Sequence, residues 1–296
     1  MMEPSTQEII TAQAIQLALF GIFAVVAYVI ARALKLFRIP PNRSILNKSP
    51  LSWQHVAIAF GLYLVVEAIV LPAIASVYAG ISGMEVGKAF EMGTGAYALF
   101  SIGGIILAAT VVVTYVLRCE EGRLRFLWCS RAGGRVMLRD IGIGAVSLFV
   151  AYPAALTIGN FLSIGVVLVY GPQHSEQVAV QFFRATLGDP VLFWSTVLTL
   201  VVVVPIVEEC LFRMMLQSWL RQLFSMKGAV VVASLVFSIF HFAVAQGVAN
   251  VHLLASLFLL SCFLGFVYER QRSLWAPIAL HAAFNGTSIL TMLLFE

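Results

Sequence analysis

Residues 190–213, PVLFWSTVLTLVVVVPIVEECLFR, carry no charge from Pro190 to Val207 and then two adjacent glutamates and an arginine. A run of that length is what a helix needs to cross a ~30 Å hydrocarbon core. Asp189-Pro190 just before it reads as an N-cap followed by proline at the first helical position. The run therefore predicts a transmembrane helix that carries ionisable groups in its second half. Working outward, seven more apolar runs bring the total to eight spans, at about 14–34, 54–78, 96–117, 141–170, 190–221, 228–246, 251–268 and 274–295. The fold class follows: an all-α polytopic transmembrane helix bundle of about eight spans.

Composition agrees. The 296 residues are 61% hydrophobic and 11% charged, against about 45–50% and 25% in soluble domains. The net charge of +4 does not indicate nucleic acid, because the basic residues sit in short loops between spans, where orientation is encoded. Lys35, Arg38, Arg43, Lys48, Arg118, Arg123, Arg125, Arg131, Arg135, Arg139, Arg221, Lys227, Arg270 and Arg272 fall on one side, and Lys88 and Arg184 on the other. By the positive-inside rule the first side is cytoplasmic and both termini lie outside, as in a multi-pass protein of the cell membrane. The N-terminal residues carry Glu3 and Glu8 and no basic n-region, so the first span reads as retained rather than cleaved. The polar stretch 175–187 reads as interfacial. Cys119, Cys129, Cys210 and Cys262 form no C-x-x-C pair and read as reduced thiols.

Charge inside a span costs ~2.5–3.5 kcal/mol at the helix centre, which makes each such residue a functional candidate. Glu67, Glu208, Glu209, Arg213, His241 and His281 qualify, and all but the first lie between positions 208 and 281. Glu208 and His241 each stand roughly 20 Å from the basic face, and His281 roughly 12 Å, at 1.5 Å per helical residue. Three helices thus present an acid and two imidazoles in one slab of membrane. Glu209 and Arg213 are spaced i, i+4 and can pair, while Glu208 points about 100° away. His281 and Asn285 share a face by the same spacing, as do Phe237 and His241. Pro205 can bend its helix and free a backbone carbonyl.

A carboxylate and an imidazole can hold and deprotonate a water, and an imidazole and an amide can donate to a developing oxyanion. That equipment suits addition of water to a carbonyl, as in peptide or ester hydrolysis. Glu208, His241 and His281 also form a donor set for a divalent metal such as zinc. The residues alone leave a metal-bound and a metal-free water equally open. Glu67, mid-span and outside any motif, reads as a packing residue or one with a polar partner. A proton-coupled transporter is the competing reading of Glu and His in spans, although no inverted repeat or paired broken helices accompany them. A non-catalytic scaffold or immunity protein is another.

E208-E-C-L-F-R213, F237-S-I-F-H241 and H281-A-A-F-N285, with S-L-W-A-P-I before His281, resemble the motif set of the CPBP family. These are CAAX-protease and bacteriocin-processing intramembrane proteases, and they include the type II CAAX prenyl endopeptidases. The resemblance covers about residues 190–292. It implies a protease domain over 190–296 behind an N-terminal unit of about four spans and an interfacial segment over 1–189. It implies that Glu208 activates water, that His241 helps hold it, and that His281 and Asn285 stabilise the oxyanion. Glu209 and Arg213 would orient the site or engage substrate, with Phe237 in support. The implied partners are the lipid bilayer and a membrane-anchored or lipidated polypeptide, reached from the cytoplasmic side.

Overall fold

The computed structural model describes residues 5–38, 51–83, 95–119, 128, 134–172 and 178–295. Among them the regular structure is helical and contains no strand. The helices are α1 (Thr6–Ala33), α2 (Trp53–Ser82), α3 (Gly95–Arg118), α4 (Gly134–Tyr170), α5 (Val178–Arg184), α6 (Pro190–Leu223), α7 (Met226–Phe240), α8 (Asn250–Gln271) and α9 (Trp275–Phe295). Among the described residues seven helices are long and apolar enough to cross a membrane; α7 is apolar but shorter. Large apolar side chains such as Ile15, Leu19, Ile22, Val29, Ile69, Val77, Phe149 and Leu168 face outward along these helices. Apolar surface on that scale fits a lipid environment. The chain is an integral membrane protein with an all-α polytopic bundle.

Local chemistry explains several boundaries. Ser5 and Glu8 form a reciprocal cap at the start of α1, with Glu8 N donating to Ser5 Oγ and Ser5 N to Glu8 Oε2 at 2.7 Å. Asp189 Oδ1 accepts from the amides of Val191 and Leu192, so the expected cap of α6 forms. Part of the stretch expected at the interface is the short helix α5. Arg43, Lys48, Lys88, Arg123, Arg125, Arg131, Cys129 and Glu3 lie outside the described residues.

The span expected over 228–246 ends early. α7 stops at Phe240, and its 15 residues reach only ~22 Å at 1.5 Å per residue. His241 leaves the helix at φ −92°, ψ 5°, and Gly247 takes φ 49°, ψ −128° within a 3₁₀ segment, Val244–Ala249. The Asn250 side chain replaces the lost helical bonds. Its Oδ1 accepts from Ala243 N at 3.1 Å, and its Nδ2 donates to the carbonyls of Ala243 and Gly247 at 2.8 and 2.9 Å. Hydropathy could not register that stop, because the residues on both sides of it are apolar.

α4 is the spine of the bundle, with α1, α8 and α9 packed along it. Gly144 permits this on one side: a Cβ there would run into the Ala276 carbonyl oxygen of α9. α6 lies inside, against α2, α3, α7 and α9. Its segment from Cys210 to Met215 is fully buried, and Arg213 is the largest fully buried side chain. One apolar cluster joins residues from the first half (Val56, Ala59, Val112) to residues of the last third (Leu211, Phe237, Tyr268, Ile278).

Candidate active site

α6 is not a regular α-helix where it carries the charges. It widens to π-helical turns at Thr199–Val203 and again at Cys210–Gln217. Glu208 and Glu209 lie on the short α segment between them. π turns inside α-helices are rare and are found often at functional sites. In the first of them Val204 N bonds to Thr199 O, five residues back. The next amide in that register would be that of Pro205, which has no N–H to give to Leu200 O. Asn285 Nδ2 donates to that carbonyl at 2.9 Å, so the freed carbonyl anticipated from Pro205 exists and Asn285 of α9 satisfies it.

Glu208 sits between the two histidines. Its Oε1 is 3.6 Å from His241 Nε2 and its Oε2 3.7 Å from His281 Nε2. Both gaps exceed a direct hydrogen bond. His241 Nδ1 lies 2.8 Å from Phe237 O, an acceptor only, so the proton of a neutral His241 resides on Nδ1. His281 Nδ1 lies 3.0 Å from Glu209 Oε1, which places its proton there by the same logic. With neutral imidazoles, both Nε2 lone pairs and both Glu208 oxygens are acceptors facing one another. Such a pocket calls for something that donates. The Glu208 side chain is 13% exposed and that of His241 29% exposed, so both retain an opening to the surroundings. Glu208 Oε2 has no hydrogen-bond partner.

Behind this pocket is a closed ion-pair shell. Arg213 Nε donates to Glu209 Oε2 at 2.9 Å, with both side chains fully buried. Arg213 Nη2 donates to Ser261 Oγ at 2.9 Å, and its guanidinium stands 5.3 Å from the centre of the Phe237 ring, a cation–π distance. Phe237 also packs on both histidines, at 4.7 Å from His241 and 6.0 Å from His281. Glu209 therefore holds an arginine with one oxygen and a histidine with the other. This buried pair stands behind the pocket and, as placed, faces the interior of the bundle.

The structure thus brings together Glu208, His241 and His281, with Glu209, Arg213 and Phe237 supporting them. Asn285 is nearby on α9, one amide N–H committed to Leu200 O and the other left to donate. Sequence reasoning missed the continuation of the polar stripe. Gln217 Nε2 donates to Gly265 O at 3.1 Å and to Glu269 Oε1 at 3.2 Å, and Arg221 and Arg272 flank the buried Glu269 at 3.3 and 3.4 Å. The signal was present as polar residues at 209, 213, 217 and 221, four residues apart along one helix.

The metal expectation rests on the same three side chains. Both imidazoles are oriented as metal ligands usually are, each with Nδ1 bonded to a carbonyl or carboxylate. Each histidine Nε2 faces a different oxygen of Glu208, at 3.6 and 3.7 Å. Among the described residues no three His, Cys, Asp or Glu side chains form a group that could hold a metal ion.

Fold and site define an α-helical integral membrane protein with a partly buried Glu/His/His cluster contributed by three helices. Within it, residues 190–287, which are 98 of the 296, match the family model described as Type II CAAX prenyl endopeptidase Rce1-like. The match spans α6 through most of α9 and contains every residue of the cluster. No curated protein and no solved structure matches the chain.

Proposed function

We propose that this chain is an intramembrane endopeptidase that hydrolyses a peptide bond of a membrane-associated polypeptide. The observation that carries the reading is the Glu208 carboxylate set between two imidazole Nε2 atoms at 3.6 and 3.7 Å. The family match over the same helices supports it. Residues 190–296 would carry the chemistry, and the helices of 1–189 would complete the core around it.

In this mechanism a water donates one hydrogen bond to Glu208 and one to His241 Nε2. Glu208 takes the water proton as the oxygen attacks the scissile carbonyl carbon. Charge develops on the carbonyl oxygen, and the free N–H of Asn285 donates to it. His281 can donate there through Nε2 only when both its nitrogens are protonated. Collapse of the tetrahedral intermediate breaks the C–N bond, and Glu208 returns its proton to the departing amine. Glu209 and Arg213 keep His281 and the helix in register throughout.

The substrate class proposed is a polypeptide held at the membrane by a lipid or an apolar segment, with a prenylated CAAX-type C-terminus as the first to test. The fourteen-to-two bias of basic residues supports termini outside and access from the cytoplasmic side. The test uses the purified protein in nanodiscs, prenylated and unprenylated peptides, and mass spectrometry of the products, with and without a chelator. Cleavage that survives the chelator is expected. Cleavage lost on chelation and restored by zinc would contradict the metal-free water, and no cleavage of any membrane-associated peptide would favour a non-catalytic role.

A further inference from the structure

His241 owes its orientation to the way α7 ends. In a continued α-helix the amide of His241 would bond Phe237 O, four residues back. Here it bonds Ser238 O, three back, at 3.0 Å, and Phe242 N bonds Ile239 O at 3.0 Å in the same tighter register. That change leaves Phe237 O to the His241 ring, whose Nδ1 lies 2.8 Å from it. A carbonyl at Nδ1 holds the ring proton there and keeps Nε2 as an acceptor. Nε2 is the atom that faces Glu208, at 3.6 Å. The stop of α7 and the tautomer of the site histidine are therefore one feature.

The sequence gives α7 no stop of its own at this point. Phe242 to Gln246 include no glycine or proline and are mostly apolar, so further helical turns compete with the observed course. Asn250 opposes them. It is the first residue of α8 and is 4% exposed. Its Oδ1 takes the Ala243 amide, and its Nδ2 donates to both the Ala243 and the Gly247 carbonyls. Only this orientation of the side-chain amide satisfies all three partners, since a carbonyl cannot donate.

Ala243, two residues beyond His241, is thereby held extended at φ −120°, ψ 119°, and a helix does not continue through it. Gly247 then turns the chain back to α8 at φ 49°, a conformation glycine reaches without strain. α8 also carries Ser261, the acceptor for Arg213. One side chain thus ties the break after His241 to the helix that supports the ion-pair shell.

We propose that Asn250 is a positioning residue for His241. By clamping Ala243 it stops α7 at Phe240, leaves Phe237 O to Nδ1, and so sets the tautomer that presents an Nε2 lone pair beside Glu208. The consequence for catalysis rests on the endopeptidase reading, in which that lone pair receives a hydrogen bond from the attacking water. Asn250 acts through His241 and has no part in the proton transfers.

The test has a structural and a kinetic readout. Wild type, Asn250→Leu and Gly247→Ala are prepared in nanodiscs with isotope-labelled histidine. The ring-nitrogen signals of His241, assigned by their loss in His241→Gln, report which nitrogen of the neutral imidazole carries the proton. Wild type is expected to show the Nδ1–H form. Asn250→Leu keeps most of the volume and loses all three hydrogen bonds, so its His241 is expected to lose that form or to divide between both tautomers. Gly247→Ala leaves Asn250 in place and strains the turn it closes; the same change is expected there, and it decides the matter where Asn250→Leu does not fold. On a cleaved peptide, Asn250→Leu should lower kcat per folded molecule by about 10²-fold with KM within about threefold of wild type. A merely structural role would reduce the folded fraction and leave both the tautomer and kcat per folded molecule as they are. An Nε2–H tautomer in wild type, an unchanged tautomer in the folded variants, or an unchanged kcat overturns the proposal. The ring signals need no substrate, so a wild type that cleaves nothing would refute the endopeptidase reading while the tautomers still decide the clamp.

Discussion

Arg213 is fully buried and makes each of its contacts inside the bundle, with Glu209, Ser261 and the Phe237 ring. Replacing it with methionine keeps most of the volume and removes the charge, so Glu209 is left buried with only His281 Nδ1 beside it. Breaking a buried pair from one side costs about 3–5 kcal/mol, roughly a hundred- to several-thousandfold in the unfolding equilibrium at 1.4 kcal/mol per decade. Glu209→Gln leaves the guanidinium unpaired and should be costly too. The double variant Glu209→Gln/Arg213→Met strands no charge, so it should lie at least about 2 kcal/mol closer to wild type than the sum of the two singles. Denaturant unfolding in mixed micelles, followed by tryptophan fluorescence, measures all four proteins. Costs that add within about 0.5 kcal/mol, or an Arg213→Met variant within about 1 kcal/mol of wild type, would refute the closed ion-pair shell.

Gly144→Ala places a methyl group against the Ala276 carbonyl and should cost about 1–3 kcal/mol by overpacking; unchanged unfolding would contradict the close approach of α4 and α9. Asn285→Leu strands the Leu200 carbonyl, at about 1–3 kcal/mol. The same variant removes the proposed oxyanion donor, lowering kcat by about 10²–10³-fold, and a destabilised protein with wild-type kcat would separate the two roles of that side chain. Ser261→Ala leaves Arg213 Nη2 without its acceptor and should cost about 1–3 kcal/mol with activity reduced through a displaced His281, read as unfolding and kcat on one preparation.

The helical class was legible because spans of this length have few alternatives, and the residues of the site because each motif repeats at i, i+4 on one helix. Glu209–Arg213 is a contact within α6 and could be anticipated. Glu209–His281, Arg213–Ser261 and Asn285–Leu200 join different helices, and helical periodicity says nothing about which helices meet. The π turns of α6 and α2 also leave no mark in an apolar sequence, although Pro205 marked the carbonyl that Asn285 captures. The end of α7 at His241 was hidden for a related reason. Asn250, seven residues beyond Ala243, supplies the bonds that replace the helix, while hydropathy sees only one more apolar run.

The central claim is that Glu208 activates the water. Glu208→Gln keeps the side chain's size but cannot take a proton, so it tests that role. Single-turnover cleavage of a membrane-associated peptide by wild type and Glu208→Gln at equal folded concentration is predicted to differ by at least about 10²-fold, with peptide binding retained. Equal rates would contradict the account, because a glutamine in that position has no means of deprotonating the nucleophile.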